Sequence, residues 1–90
     1  MNTTIIDKRL VNMAKTGITY ATVTITLKPE FTNPIDLSGF ELEYWMKLVP
    51  AMMGKLSLNK LDYISYMPEV ESIELPMHKT TTKPWEITNY

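Results

Sequence analysis

The sequence predicts an α+β fold, a small sheet with helices packed against it. Three observations carry this. Residues 18–28 alternate apolar and Thr side chains in the period of a strand. Two stretches, near residues 4–14 and 58–67, space their apolar residues as helices do. The chain has 90 residues, which is enough for one small domain and no more.

The first helix is expected over 4–14. Thr3 or Thr4 supplies a cap, Asp7 follows Thr4 at capping-box spacing, and Ile6, Leu10 and Met13 fall on one side. Gly17 is a natural stop, because glycine tolerates the left-handed backbone that ends helices.

The strand over 18–28 reads ITYATVTITLK. Ala21, Val23, Ile25 and Leu27 share one face, and Thr22, Thr24 and Thr26 share the other. Ile, Val and Thr are stiff at χ1 and suit a pleated surface. Ile18 and Tyr20 fall out of phase with the apolar face. Pro29 closes the strand. PEFTNPIDLSG then reads as a connection, with Asn33-Pro34 and Asp36 as turn residues and Phe31 and Ile35 pinning it to the core.

The stretch LSGFELEYWMKLVPAMM, residues 37–53, holds one of the two Trp and three of the seven Met. It admits two structures. A helix over 39–48 is supported by Ser38 and Glu41 at capping-box spacing and by early acidic residues that suit the helix dipole. Glu43 and Lys47 would add an i,i+4 pair worth ~0.2–0.5 kcal/mol. A strand is supported by Phe40, Leu42, Tyr44, Met46 and Leu48 alternating along one face. Pro50 ends either element. The balance favours the helix, with the strand as close alternative.

Gly54 and Lys55 read as a break. A helix follows over 58–67, capped by Ser57 or Asn59, with Leu58, Leu61 and Ile64 on one face and Pro68 beyond its end. Residues 70–75 alternate and fit a short strand or a further helical turn. From Pro76 onward the sequence is rich in Thr, Lys and Pro and has no period. The organisation is therefore a single domain over 1–75 and a C-terminal tail over 76–90.

Composition narrows the function classes. Formal net charge is −1 and the longest basic run is Lys8-Arg9, so neither a nucleic-acid surface nor an anionic-membrane surface is expected. There is no Cys, which removes disulfides, thiolate metal sites and a thiol nucleophile. The opening residues lack the apolar core of a signal peptide, and no window approaches ~20 apolar residues. A soluble, cytoplasmic protein is the default.

Catalysis needs a grouped acid, base or nucleophile. The single His, His78, falls in the tail. Glu69, Glu71, Glu74 and His78 are the nearest approach to metal-ligand spacing, but Pro76 interrupts them. No glycine-rich phosphate loop is present. Neither an enzyme, a metal nor a cofactor is expected. What remains is a dense set of apolar side chains suited to an adaptable protein contact, although the same residues, Met46, Met52 and Met53 above all, suit an ordinary small core. The expected partner-binding residues are Trp45, Met46, Val49, Met52 and Met53, with Trp85 and Ile87 anchoring the tail.

The strand ending ITLKP, followed by LVPAMMG and LS through Tyr63, resembles the small tail assembly chaperones of bacteriophages over about residues 25–70. Those proteins place an apolar helix before a Gly and open a second helix near a Leu-Ser or Leu-Asp pair. Pro50 inside the first helix departs from that pattern. The resemblance implies a non-enzymatic protein in the host cytoplasm that holds an apolar segment of a partner, the tape-measure protein. A second likeness is NPIDLSGFELEYWMK, which is similar to the loop and strand of β-sandwich modules in cell-surface, carbohydrate-binding and baseplate proteins. It implies a structural role in the virion. A small phage-type inhibitor of a host enzyme is a third class of the right size. The partner in each case is another protein, or a second copy.

The tail yields the first prediction. If Trp85 and Ile87 dock in a groove on a neighbour, removing the residues after Met77 leaves the fold intact and weakens association. Circular dichroism and analytical ultracentrifugation of the shortened chain check both halves.

Overall fold

The computed structural model describes residues 1–76. Trp85, Ile87, His78 and most of the expected tail lie outside the described residues. The fold is α+β: a four-stranded antiparallel sheet with two α-helices. The strands are β1 (Tyr20–Leu27), β2 (Phe40–Met46), β3 (Ala51–Ser57) and β4 (Val70–Glu74). The helices are α1 (Lys8–Lys15) and α2 (Leu61–Ser65), each preceded by a short 3-10 turn, Thr3–Ile5 and Leu58–Lys60. The sheet order is β2-β3-β1-β4.

β1 forms where the alternation places it. Val23, Ile25 and Leu27 are fully buried, while Tyr20 and Thr22 are exposed. Its register sets the faces of its neighbours. Ile25 sits opposite Met52 of β3 and Ile73 of β4; Val23 sits opposite Gly54; Leu27 sits opposite Val70. Those side chains join Leu10, Leu37, Leu56, Leu58, Leu61 and Ile64 in one core on a single side of the sheet. Phe31 and Ile35 pack against it from the β1–β2 connection, as the sequence predicts.

The expected helix over 39–48 is instead strand β2, the close alternative. Its local cap signals lose to pairing with β3. A bulge between Leu42 and Tyr44 explains why the pattern is ambiguous. Before it, Phe40 and Leu42 pair with the core-side Leu56 and Gly54. After it, Trp45 pairs with the core-side Met52. Tyr44 and Met46 consequently turn to the other face, opposite Met53 and Ala51. The phase of the alternation changes at Glu43, so a single period-two reading assigns half of the strand to the wrong side.

Gly54 is not a break but the close-contact point of the β2–β3 pair. A Cβ there would run into the Glu41 carbonyl oxygen and come within 2.9 Å of the Phe40 ring. The aromatic ring covers the side-chain-free position and replaces the missing apolar volume.

The two helices are shorter than the spacing predicts. Ile6 adopts an extended backbone and bridges to Ile73, and the Asp7 N–H donates to the Ile73 carbonyl at 2.9 Å. This moves the cap of α1 from Thr3 or Thr4 to Asp7, whose carboxylate accepts the Arg9 N–H at 2.9 Å. At the other end Ile18 N–H donates to Met13 and Gly17 N–H to Ala14, a Schellman ending with Gly17 at φ 92°. The segment over 58–67 divides into the 3-10 turn and α2. Buried Ser65 accepts from the Asn2 N–H at 3.0 Å and donates to the Asp62 carbonyl at 2.8 Å, so its hydroxyl is satisfied.

Two predictions follow from the packing. Gly54→Ala forces β2 away from β3 and costs about 1–3 kcal/mol, the range of core overpacking, readable as a lowered urea midpoint. Asp7→Ala removes a helix cap and costs ~1 kcal/mol at neutral pH. The Arg9 side chain, then the Arg9 N–H, hold the Asp7 carboxyl below its ordinary 3.8. Stability from a depressed carboxyl is present above the unfolded value and lost as pH falls through the lower folded value. The Asp7→Ala variant should therefore lose less stability on acidification than the parent in pH-dependent denaturation.

Candidate protein-contact surface

The core lies on one side of the sheet, and the described residues leave the other side open. Four rows of side chains cross it. Glu41, Lys55 and Thr22 form one row. Tyr44, Met53, Thr24 and Glu74 form the next, and Met46, Ala51, Thr26 and Ser72 the third. Tyr20 and Ser57 make a fourth at the far end. Two adjoining rows of this face, the one through Tyr44, Met53 and Thr24 and the one through Met46, Ala51, Thr26 and Ser72, carry no charge except Glu74 on the edge strand β4, while Lys55 on the inner strand β3 and Glu41 beside it charge the row next to them.

Tyr44 is 62% exposed, and Met46 and Met53 are half-buried beside it. The turn from β2 to β3 adds two exposed apolar residues. Leu48 is fully exposed, and Val49 is 51% exposed. An unbranched thioether adapts its shape to different neighbours at low cost, and a tyrosine offers a large ring with a polar end. Together these groups can hold an apolar surface without fixing one partner geometry.

The expected contact residues separate. Met46, Val49 and Met53 reach the open face or its adjoining turn. Trp45 points to the core side and packs half-buried against it. Met52 is a correction: it is 0% exposed, so it fills the core and does not reach a partner. Met52 and Met53 are neighbours in a strand, and neighbours in a strand face opposite ways. Trp85 and Ile87 lie outside the described residues. Sequence reasoning missed Tyr44 and Leu48, which alternation alone had placed on the same face as Phe40 and Leu42. It also missed Leu42 itself as a surface residue, at 44% exposure.

Charge chemistry is sparse. Among the described residues the one side-chain ion pair is Asp7–Arg9, at 2.7 Å. Glu41 faces Lys55 across the β2–β3 ladder without coming within ion-pair distance. A cleft of about 630 Å³ lies between the N-terminal segment, β4 and the β2–β3 turn. Its carboxylates are Asp7, Glu71 and Glu74, with Thr4, Thr26 and Ser72 beside them. Asp7 is engaged by Arg9, and no group of three metal-ligating side chains converges among the described residues. Tyr63 and Tyr66 form a separate exposed pair on the α2 side. Among the described residues no helix is long and apolar enough to cross a membrane.

Comparison with protein-family models, with curated proteins and with solved structures found no match to this chain.

The surface assignment makes a stability prediction. Leu48→Ser and Tyr44→Ser each change stability by no more than about 0.5 kcal/mol, as surface substitutions do. Met52→Ala costs about 2–5 kcal/mol through the cavity it leaves. Chemical denaturation of the three variants side by side checks the division.

Proposed function

We propose that this protein works by non-enzymatic contact with another protein, through the open face of the sheet around Tyr44, Met46 and Met53 and the turn at Leu48 and Val49. The observation that supports this is a patch of Tyr44, Met46 and Met53 on the side of the sheet that the described helices leave uncovered, flanked by a wholly exposed Leu48. A face of this kind gains by removing apolar area from water at about 25 cal/mol per Å². Neither a cofactor, a nucleic acid nor a membrane has a part in the reading. Self-association through the same face is the second form of the contact.

The finer reading is the one the phage resemblance implies: a tail assembly chaperone in the host cytoplasm that holds an apolar segment of its partner. The apolar helix of that pattern is a hairpin here, β2 and β3 around Pro50. The hairpin gives specific support to the alternative, a small β-rich structural protein of a virion or baseplate. An inhibitor of a host enzyme would use the same face.

The full chain, immobilised, is expected to retain a partner that a Tyr44→Ser/Met53→Lys variant loses while melting at nearly the same temperature. Mass spectrometry of the retained protein separates the readings. A tape-measure protein supports the chaperone, a capsid or tail protein the structural role, and an enzyme the inhibitor. Equal retention by the folded variant would overturn the assignment of this face.

A further inference from the structure

The sheet order leaves two edges, and they are treated differently. The outer edge of β4 is closed by the N-terminal segment, through the Ile6–Ile73 bridge and the Asp7 N–H. No described strand pairs with the outer edge of β2. β2 is seven residues long and carries five apolar ones, Phe40, Leu42, Tyr44, Trp45 and Met46. An edge of that length presents a row of unused backbone donors and acceptors.

Its two sides have different chemistry. On the helix side Leu42 is 44% exposed between the half-buried Phe40 and Trp45, which makes a shallow apolar step. On the open side stands Glu41, with Glu43 at the bulge beside it. Both are exposed, and neither is within ion-pair distance of a cation among the described residues. A strand laid along β2 sends alternate side chains to these two sides. The complementary strand is apolar where it meets Leu42 and basic where it meets Glu41 and Glu43.

A second copy of β2 is a poor occupant. Full-length antiparallel pairing of Phe40–Met46 with its own image centres on Glu43 and sets two carboxylates face to face. Like charges directly opposite in a ladder are destabilising. The bulge and the two acids are the devices by which edges refuse indiscriminate pairing, and the same acids select a basic strand.

Resting on the protein-contact reading above, we propose that the outer edge of β2 receives an extended segment of a different protein in which basic and apolar residues alternate, adding a fifth strand to the sheet.

The test uses the full chain and two blocked peptides matched in length to β2, one alternating lysine and valine, the other glutamate and valine. Backbone amide NMR should show the lysine peptide shifting residues 40–46 and slowing the hydrogen exchange of those amides among them that do not donate to β3, with no effect from the glutamate peptide. A Glu41→Gln/Glu43→Gln variant of unchanged melting temperature should bind the lysine peptide roughly three- to tenfold more weakly. Raising the salt from ~10 mM to ~150 mM should weaken binding to the parent, since exposed charges are screened.

Equal binding of both peptides, or shifts centred on another strand, would overturn the proposal. So would protection, before peptide is added, of those β2 amides that do not donate to β3. Protection that grows with protein concentration would mean a second copy holds the edge, and protection independent of concentration would mean the chain's own remainder does. If the peptides fail while partner retention still depends on Tyr44 and Met53, the edge proposal falls and the contact reading stands. If retention does not depend on them either, both fall.

Discussion

Val23, Ile25 and Leu27 set the phase of the whole molecule. They are buried on one side of β1, an inner strand paired with β3 on one side and with β4 on the other. A slip of one residue in either ladder would carry Met52 or Ile73 from the core to the opposite face. Because the core is built on one side only, that slip has no compensation. The helices, the β1–β2 connection and the N-terminal segment all pack where those three side chains point.

The sheet's one-sidedness links fold to function. α1, α2 and the connection carrying Phe31, Ile35 and Leu37 cover the core side. The chain has no further described element to cover the other. One face of the sheet carries the core, and the other presents Tyr44, Met46 and Met53 beside the charged row of Glu41 and Lys55. Met52 and Met53 show this at adjacent positions: one closes the core opposite Ile25, the other lies between Tyr44 and Thr24 on the open face.

Legibility in the sequence followed locality. β1 was readable because its alternation is unbroken, and the end of α1 because Gly17 meets a purely local demand. The short strand β4 was one of two readings of 70–75. β2 was not settled, because Ser38, Glu41 and Lys47 give local helix signals while the pairing that overrides them comes from β3. β3 was missed outright: Gly54 reads as a break unless Phe40 is known to lie over it. The surface residues divided on the same ground. Val49 is exposed and Met46 and Met53 are half-buried on the open side, Met52 is in the core, and Tyr44 and Leu48, outside the expected set, are exposed. The bulge at Glu43 reverses the sides of everything after it, and it leaves no mark in composition.

The Ile6–Ile73 bridge has a consequence for how the chain is made. It joins residues at nearly opposite ends of the described sequence, so it forms only after the intervening loop has been closed. Asp7, and with it the start of α1, is fixed by the same strand. A ribosome delivering this chain releases α1 and β1 before β3, α2 and β4, with the apolar side of β1 uncovered until they follow. The order of synthesis thus runs against the order of need, and the nascent protein has an interval in which Val23, Ile25 and Leu27 face water. Slow completion of this kind leaves an emerging chain prone to association with its neighbours.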